Sequence, residues 1–190
     1  MAHWKNKAVF LDRDGTITKE PGALKRVLRV HAYSYSARAI KILKRAGYKV
    51  IIVTNQGKVG HGHVTEKEVK ATNKALLSVL AKQLAKVDAV YYCPHHPEAP
   101  IKKYRKKCAC RKPSIGMLKK AQKRFKIDFS KSFVVGDDSR DIKMGKNSGC
   151  KTILVLSGHA GKDGHFQEKP DFTAKNLFEA AKIVLRESKK

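Results

Sequence analysis

Asp12 and Asp14 stand two residues apart, directly after an apolar run over residues 8–11. In an open α/β sheet, ligands bind beyond the carboxyl ends of the strands. Two carboxylates this close repel each other unless a cation or a shared proton relieves them, so the pair is either a metal site or a perturbed acid/base pair. Asp137, Asp138 and Asp141 form a second acidic group after the apolar residues 133–135. These five are a large share of only 16 acidic residues, in a chain with 42 lysines and arginines. Acid persists where a cation would need it.

A second group joins Cys93, His95 and His96 to Cys108 and Cys110. Three thiolates and one imidazole make a closed tetrahedral set, the ligand complement of a structural Zn²⁺, whereas a catalytic zinc keeps one position open. Cys93, His95, Cys108 and Cys110 are the expected ligands, with His96 able to replace His95. Such clustering reads as metal ligation rather than a disulfide framework, and so points to a reducing cytoplasm. Cys150, beside Gly149 and ahead of an apolar run, reads as a buried small hydrophobe. Residues 1–7 are polar and basic without the apolar centre of a signal peptide, and no apolar run reaches the ~20 residues of a membrane span. Neither secretion nor a membrane partner is expected.

Strands must deliver these groups to one place. Apolar runs alternate with helical periodicities from the start, the pattern of βαβ units around a parallel sheet. Residues 8–11, 50–53, 89–92, 133–135 and 152–156 are short, rich in β-branched or aromatic residues and bounded by turn formers, and are predicted strands. Residues 36–46, 65–85, 114–125, 139–148 and 174–186 carry helical spacing. The second of these opens with Thr65-Glu66-Lys67-Glu68, a capping box. Residues 19–35 and 95–107 break the alternation and are expected as loops over the site. Residues 158–169, with three glycines and two histidines, are expected as a mobile loop before a short strand near Asp171. The prediction is α/β: a doubly wound, mainly parallel, Rossmannoid sheet in one domain over residues 1–190, as a monomer.

The formal charge of +26 reads as spread along nearly the whole chain and predicts attraction to polyanions. Aromatic residues are 7% of the chain and form no interleaved stacking platform of the kind single-strand binders use. Nucleic acid is therefore expected as a non-specific partner at low salt rather than through a dedicated site.

Asp12-Arg13-Asp14-Gly15-Thr16 resembles the first signature of the haloacid dehalogenase superfamily phosphatases, and the others follow in order. Thr54-Asn55-Gln56 matches the second, Arg111-Lys112-Pro113 the third, and Gly136 to Asp141 the fourth. The resemblance implies that Asp12 is a nucleophile forming an aspartyl-phosphate, with Mg²⁺ held by Asp12, Asp14 and Asp137. Asp14 is implied to reach the metal through its backbone carbonyl, leaving its carboxylate as general acid and then base. Thr54 and Lys112 are implied to donate to the phosphoryl oxygens, with Asn55 and Arg111 also binding substrate. Asp138 and Asp141 are given supporting places.

A zinc loop over residues 93–110, just before Arg111-Lys112-Pro113, is similar to that of the bacterial heptose 1,7-bisphosphate phosphatases and their histidinol phosphatase relatives. Those enzymes lack a large cap domain, and the loop serves as a pocket wall. Arg111 would then meet the second phosphate of a bisphosphate, which a planar guanidinium suits. Two departures bear on the sugar. The heptose enzymes usually read Ser-Gly-Ile-Ala-Arg-Gly where this chain has Gly57-Lys58-Val59-Gly60-His61-Gly62, and Arg-Lys-Pro-Lys-Pro-Gly where it has Arg111 to Gly116. The expected activity is that of a phosphoric monoester hydrolase on a small phosphorylated metabolite, heptose 1,7-bisphosphate first, with loss of the 7-phosphate. Histidinol phosphate and a polynucleotide 3′-phosphate are the alternatives within enzymes. A catalytically idle zinc module that binds nucleic acid is the alternative outside them.

Overall fold

A computed structural model describes residues 4–19 and 30–188. The expected loop at 19–35 therefore lies largely outside the described residues, as does the start of the basic N-terminal segment. The elements in order are β1 (Ala8–Leu11), α1 (Ser36–Arg45), β2 (Lys49–Asn55), α2 (Glu66–Lys82), β3 (Ala89–Cys93), α3 (Gly116–Phe125), β4 (Phe133–Gly136), α4 (Ser139–Ser148), β5 (Lys151–Val155), β6 (Phe172–Ala174) and α5 (Leu177–Glu187). Among the described residues six strands form one sheet in the order β3-β2-β1-β4-β5-β6, every neighbouring pair parallel.

Parallel strands need crossovers, which put helices on both faces and leave the strands apolar on both sides. Val9 and Leu11 of β1 pack with Ile40 and Leu43 of α1, Leu76 and Leu80 of α2, and Val184 of α5. Ala8 and Phe10 face the other way, toward Met117 and Leu118 of α3 and Met144 of α4. The chain winds outward from β1 through β2 to β3, then returns to β4 and winds the opposite way. That reversal opens a crevice between the carboxyl ends of β1 and β4, where Asp12 N–H donates to Val135 O at 3.0 Å.

Several boundaries differ from expectation for local reasons. β2 runs two residues past Val53, because parallel pairing with β3 carries Thr54 and Asn55 into the sheet despite their polarity. The short strand expected near Asp171 is β6, and it takes Ala174 from the expected helix; α5 starts after Asn176, whose side chain accepts from Phe178 and Glu179 N–H. α2 has its capping box at Thr65 and Glu68 but ends at Lys82, short of 85, where Leu84 turns to φ +58°. α3 begins at Gly116 rather than 114, since Ser114 closes a turn onto Arg111 O. Among the described residues no helix is long and apolar enough to cross a membrane.

Candidate active site

The floor of the crevice is a buried ionic cluster. Lys112 Nζ lies 2.7 Å from both Asp12 Oδ1 and Asp141 Oδ1. Asp12, Asp137 and Asp141 each offer an oxygen within 4.8 Å of the others. Asp137 accepts from Thr16 Oγ1 at 3.0 Å and from His159 N–H at 2.8 Å. Gly15 (φ +83°) and Gly158 (φ +64°) press on it from two turns, and a Cβ on either would fall 2.2 Å from Asp137 Oδ2. Both the backbone angle and the space require glycine there.

Sequence reasoning gave Asp141 a supporting place, yet the first turn of α4 brings its carboxylate into the cluster, with Oδ2 buried and without a hydrogen-bond partner among the described residues. Asp138 instead caps α4, accepting from Arg140 N–H at 2.9 Å, and pairs with the Arg140 guanidinium at 2.8 and 2.5 Å. Residues 158–169, expected as a mobile loop, are pinned here. Besides the His159 contact, Gly161 N–H donates to Asp137 O, and Asp163 accepts from the backbone and hydroxyl of Ser139. Nothing in a glycine-rich stretch reveals such anchoring before the fold is known.

Burial raises Asp12, and the charge of Asp14 adds to it, against the pull of Lys112. Burial and then the Asp12 charge push Asp137 up to about 6. Asp141 is raised by burial as well. Burial alone would lower Lys112, but Asp12 and Asp141 overcome it and hold the ammonium protonated. Three carboxylates around one ammonium leave uncompensated negative charge, and oxygen donors at this spacing are what a hard divalent cation takes.

Asp14 has a different environment. Burial would raise it too, but the Arg13 guanidinium, bonded at 2.9 and 2.7 Å, and hydrogen bonds from Gln56 and Thr18 bring it below its ordinary value. The two carboxylates of the first motif are thereby driven apart. Gln56, which sequence reasoning quoted only as part of a motif, donates from Nε2 both to Asp14 at 2.9 Å and to Thr54 Oγ1 at 3.0 Å. Asn55 has both ends of its amide on the Lys112 backbone, accepting from N–H at 3.0 Å and donating to C=O at 3.2 Å.

Asp12, Asp14, Thr54, Asn55, Arg111 and Lys112 all line a cleft of about 1000 Å³, joined by His61, His96 and Arg140. Arg111 anchors to His95 O at 3.1 Å. One wall is the loop after β3, where Cys93, His95, Cys108 and Cys110 bring their ligand atoms within 4.8 Å of one another. Cys110 Sγ is 2.9 Å from Cys93 Sγ and 2.8 Å from Cys108 Sγ, and His95 Nδ1 is 3.6 Å from both Cys93 and Cys110. Of the two candidate histidines, His95 is thus the one in the cluster, while His96 packs on His61 with ring centroids 4.8 Å apart. Burial, then Lys106 and Lys120, lower His95 and favour the neutral imidazole that a metal needs. Cys150 is buried, as expected.

Comparison with known proteins identifies the family. A family model described as HAD-hydrolase-like matches residues 109–180. The chain is 33% identical to the D-glycero-alpha-D-manno-heptose-1,7-bisphosphate 7-phosphatase of Photorhabdus laumondii, over 97% of this chain and 100% of that one. It is also 33% identical to the D-glycero-beta-D-manno-heptose-1,7-bisphosphate 7-phosphatase of Haemophilus influenzae, over 95% and 98%. The crystal structure of D,D-heptose 1,7-bisphosphate phosphatase from B. bronchiseptica, complexed with magnesium and phosphate, matches with a TM-score of 0.81 at 30% identity, covering 95% of this chain and 99% of that one. The chain therefore belongs to the haloacid dehalogenase-like phosphatases, among the relatives of D-glycero-D-manno-heptose-1,7-bisphosphate 7-phosphatase.

Proposed function

We propose that this chain removes the 7-phosphate of D-glycero-D-manno-heptose 1,7-bisphosphate in a Mg²⁺-dependent reaction that passes through an aspartyl-phosphate on Asp12. The observation that carries the reading is the buried convergence of Asp12, Lys112, Asp137 and Asp141 at the floor of a cationic cleft. Asp12, Asp137 and the backbone carbonyl of Asp14 would hold Mg²⁺, with Asp141 beside them. The surplus of buried carboxylate charge and the unpartnered Asp141 oxygen fit a cation there. When bound, Mg²⁺ supplies the positive charge that lets a carboxylate approach a phosphate dianion.

The chain's own residues do the rest. An Asp12 oxygen attacks phosphorus, the bond to the sugar oxygen breaks, and Asp14 passes a proton to that oxygen. Asp14 then takes a proton from water as the water attacks phosphorus, which releases phosphate and restores Asp12. Arg13 and Gln56 orient the Asp14 carboxylate, and a phosphate dianion arriving beside it would raise its proton affinity at the step that needs an acid. Lys112 and Thr54 donate to the transferring oxygens. Asn55 serves the same end indirectly, by fixing the Lys112 backbone. Arg111 receives the phosphate that is not cleaved. A structural Zn²⁺ on Cys93, His95, Cys108 and Cys110 would hold the wall that takes the place of a cap, in a single domain over residues 1–190 working in a reducing cytoplasm.

The test is kcat/KM with Mg²⁺ on both anomers of the heptose bisphosphate, on histidinol phosphate and on a 3′-phosphorylated oligonucleotide. We expect one heptose anomer to be preferred over the last two by well above about tenfold, the scale of discrimination that a pocket built for a second charged group provides. Preference for histidinol phosphate or for the oligonucleotide overturns the substrate.

A further inference from the structure

The positive charge is not spread along nearly the whole chain as expected. Residues 127–188 carry ten lysines and arginines against nine acids, whereas residues 101–126 carry twelve and no acid. The fold keeps this contrast. On α4, Lys143 and Lys146 pair with Glu168 and Asp171, and further along Lys151 pairs with Glu187 and Lys182 with Glu179. Lys106 and Lys107 of the metal-ligand loop, and Lys119, Lys120, Lys123 and Arg124 of α3, are all exposed. Among the described residues none of these six has an acidic partner.

Loop and helix form one surface. Gly116 N–H, the first residue of α3, donates to Ala109 O at 2.7 Å, and a Cβ on Gly116 would lie 2.2 Å from that oxygen. The surface is separate from the catalytic cleft, which none of the six lines.

We propose that the outer face of this loop and α3 is a docking surface for the phosphate backbone of duplex nucleic acid, bound without sequence preference. A run of like charge without counter-acids holds a counterion atmosphere that a polyanion displaces, and each phosphate contact adds to the salt dependence of binding. A bilayer surface fits less well. α3 turns Met117, Leu118 and Ala121 into the core and leaves no apolar residue of its outer face to insert between lipids. Unstacked bases fit less well too, because Tyr104, the aromatic of the basic loop, is half-buried and holds its hydroxyl on Glu66 at 2.9 Å.

The test follows binding of a labelled DNA duplex by fluorescence anisotropy between about 50 and 300 mM salt, the range where counterion release is large. Wild type is compared with Lys119→Gln/Lys120→Gln/Lys123→Gln on α3 and with Lys67→Gln/Lys70→Gln/Lys74→Gln on α2. The second variant removes equal charge from exposed positions of another helix. Unchanged melting temperatures establish that both variants fold. We expect the α3 variant to bind about tenfold more weakly and to lose up to about 3 from the slope of log affinity against log salt, at ~0.9 per phosphate contact, with the α2 variant within about threefold of wild type. Equal losses in the two variants would mean that overall charge rather than this face attracts DNA, and would overturn the proposal. So would an unchanged α3 variant, or wild type binding anionic phospholipid vesicles more tightly than duplex at matched phosphate concentration.

Discussion

At the residue scale, one motif contains two aspartates that the surroundings treat in opposite ways. Asp12 is drawn into a cluster with Asp137 and Asp141, while Asp14 is taken out of it by Arg13 and Gln56. Asp12, Thr54 and Asp137 were legible in the sequence because each lies at a strand end, and Lys112 because Arg111 and Pro113 flank it and the motifs keep their order. Gln56 and Gly158 were not, and Asp141 was read only as supporting, because their importance depends on segments that meet only in three dimensions. Gly158 gives the sharpest test. Gly158→Ala drives a methyl into Asp137 and adopts a left-handed angle, whereas Gly164→Ala, at φ +69°, meets nothing within 4 Å. Urea unfolding should place Gly164→Ala about 1–2 kcal/mol below wild type, the left-handed penalty alone. Gly158→Ala should fall further, and should need more Mg²⁺ for half-maximal turnover. Equal behaviour of the two variants would remove Asp137's grip from the account. Asn55→Ala leaves the Lys112 backbone without both amide bonds, at a cost of about 1–3 kcal/mol, and should lower kcat more than it raises KM.

At the element scale, the loop between β3 and α3 is held from two sides. Its cysteine and histidine cluster closes it on itself, and Glu66 at the start of α2 accepts from Tyr92 of β3 and Tyr104 of the loop, both at 2.9 Å. The cluster was readable from residue types alone. The Glu66 hub was not, since a capping-box neighbour gives no sign that two tyrosines will reach it. Chelation, or Cys108→Ser, should release one Zn²⁺ per chain, lower the melting temperature and raise KM, with kcat less affected. Metal analysis that finds no zinc in the purified protein contradicts the ligand set. The hydrogen bonds from Tyr104 and Tyr92 hold the Glu66 carboxyl below its ordinary value. A depressed folded-state value means the stabilisation is complete above the unfolded-state value, near 4.5, and is lost as pH falls through the lower folded one. Glu66→Gln should therefore be less stable than wild type at neutral pH, with the difference shrinking in acid below that range. A difference that does not vary with pH would show that Glu66 acts through packing alone.

At the scale of the whole molecule, the doubly wound order was legible because alternation of apolar runs with helical spacing leaves few topologies. The short strand near Asp171 was legible too, but the exact ends of β2 and β6 were not, because pairing with neighbouring strands overrides local polarity. The order β3-β2-β1-β4-β5-β6 reverses direction between β1 and β4, and the proposed reaction depends on that reversal, which sets Asp12 beside Asp137 and under Lys112. The measurement that bears most directly on this account is a single turnover with excess enzyme, Mg²⁺ and heptose bisphosphate carrying a labelled 7-phosphate, quenched in acid and mapped by mass spectrometry. We expect one phosphoryl group on the peptide containing Asp12, appearing and decaying as labelled phosphate is released, and absent from Asp12→Asn, which should not turn over. Turnover by Asp12→Asn within about tenfold of wild type, or label on any other residue, would contradict the account.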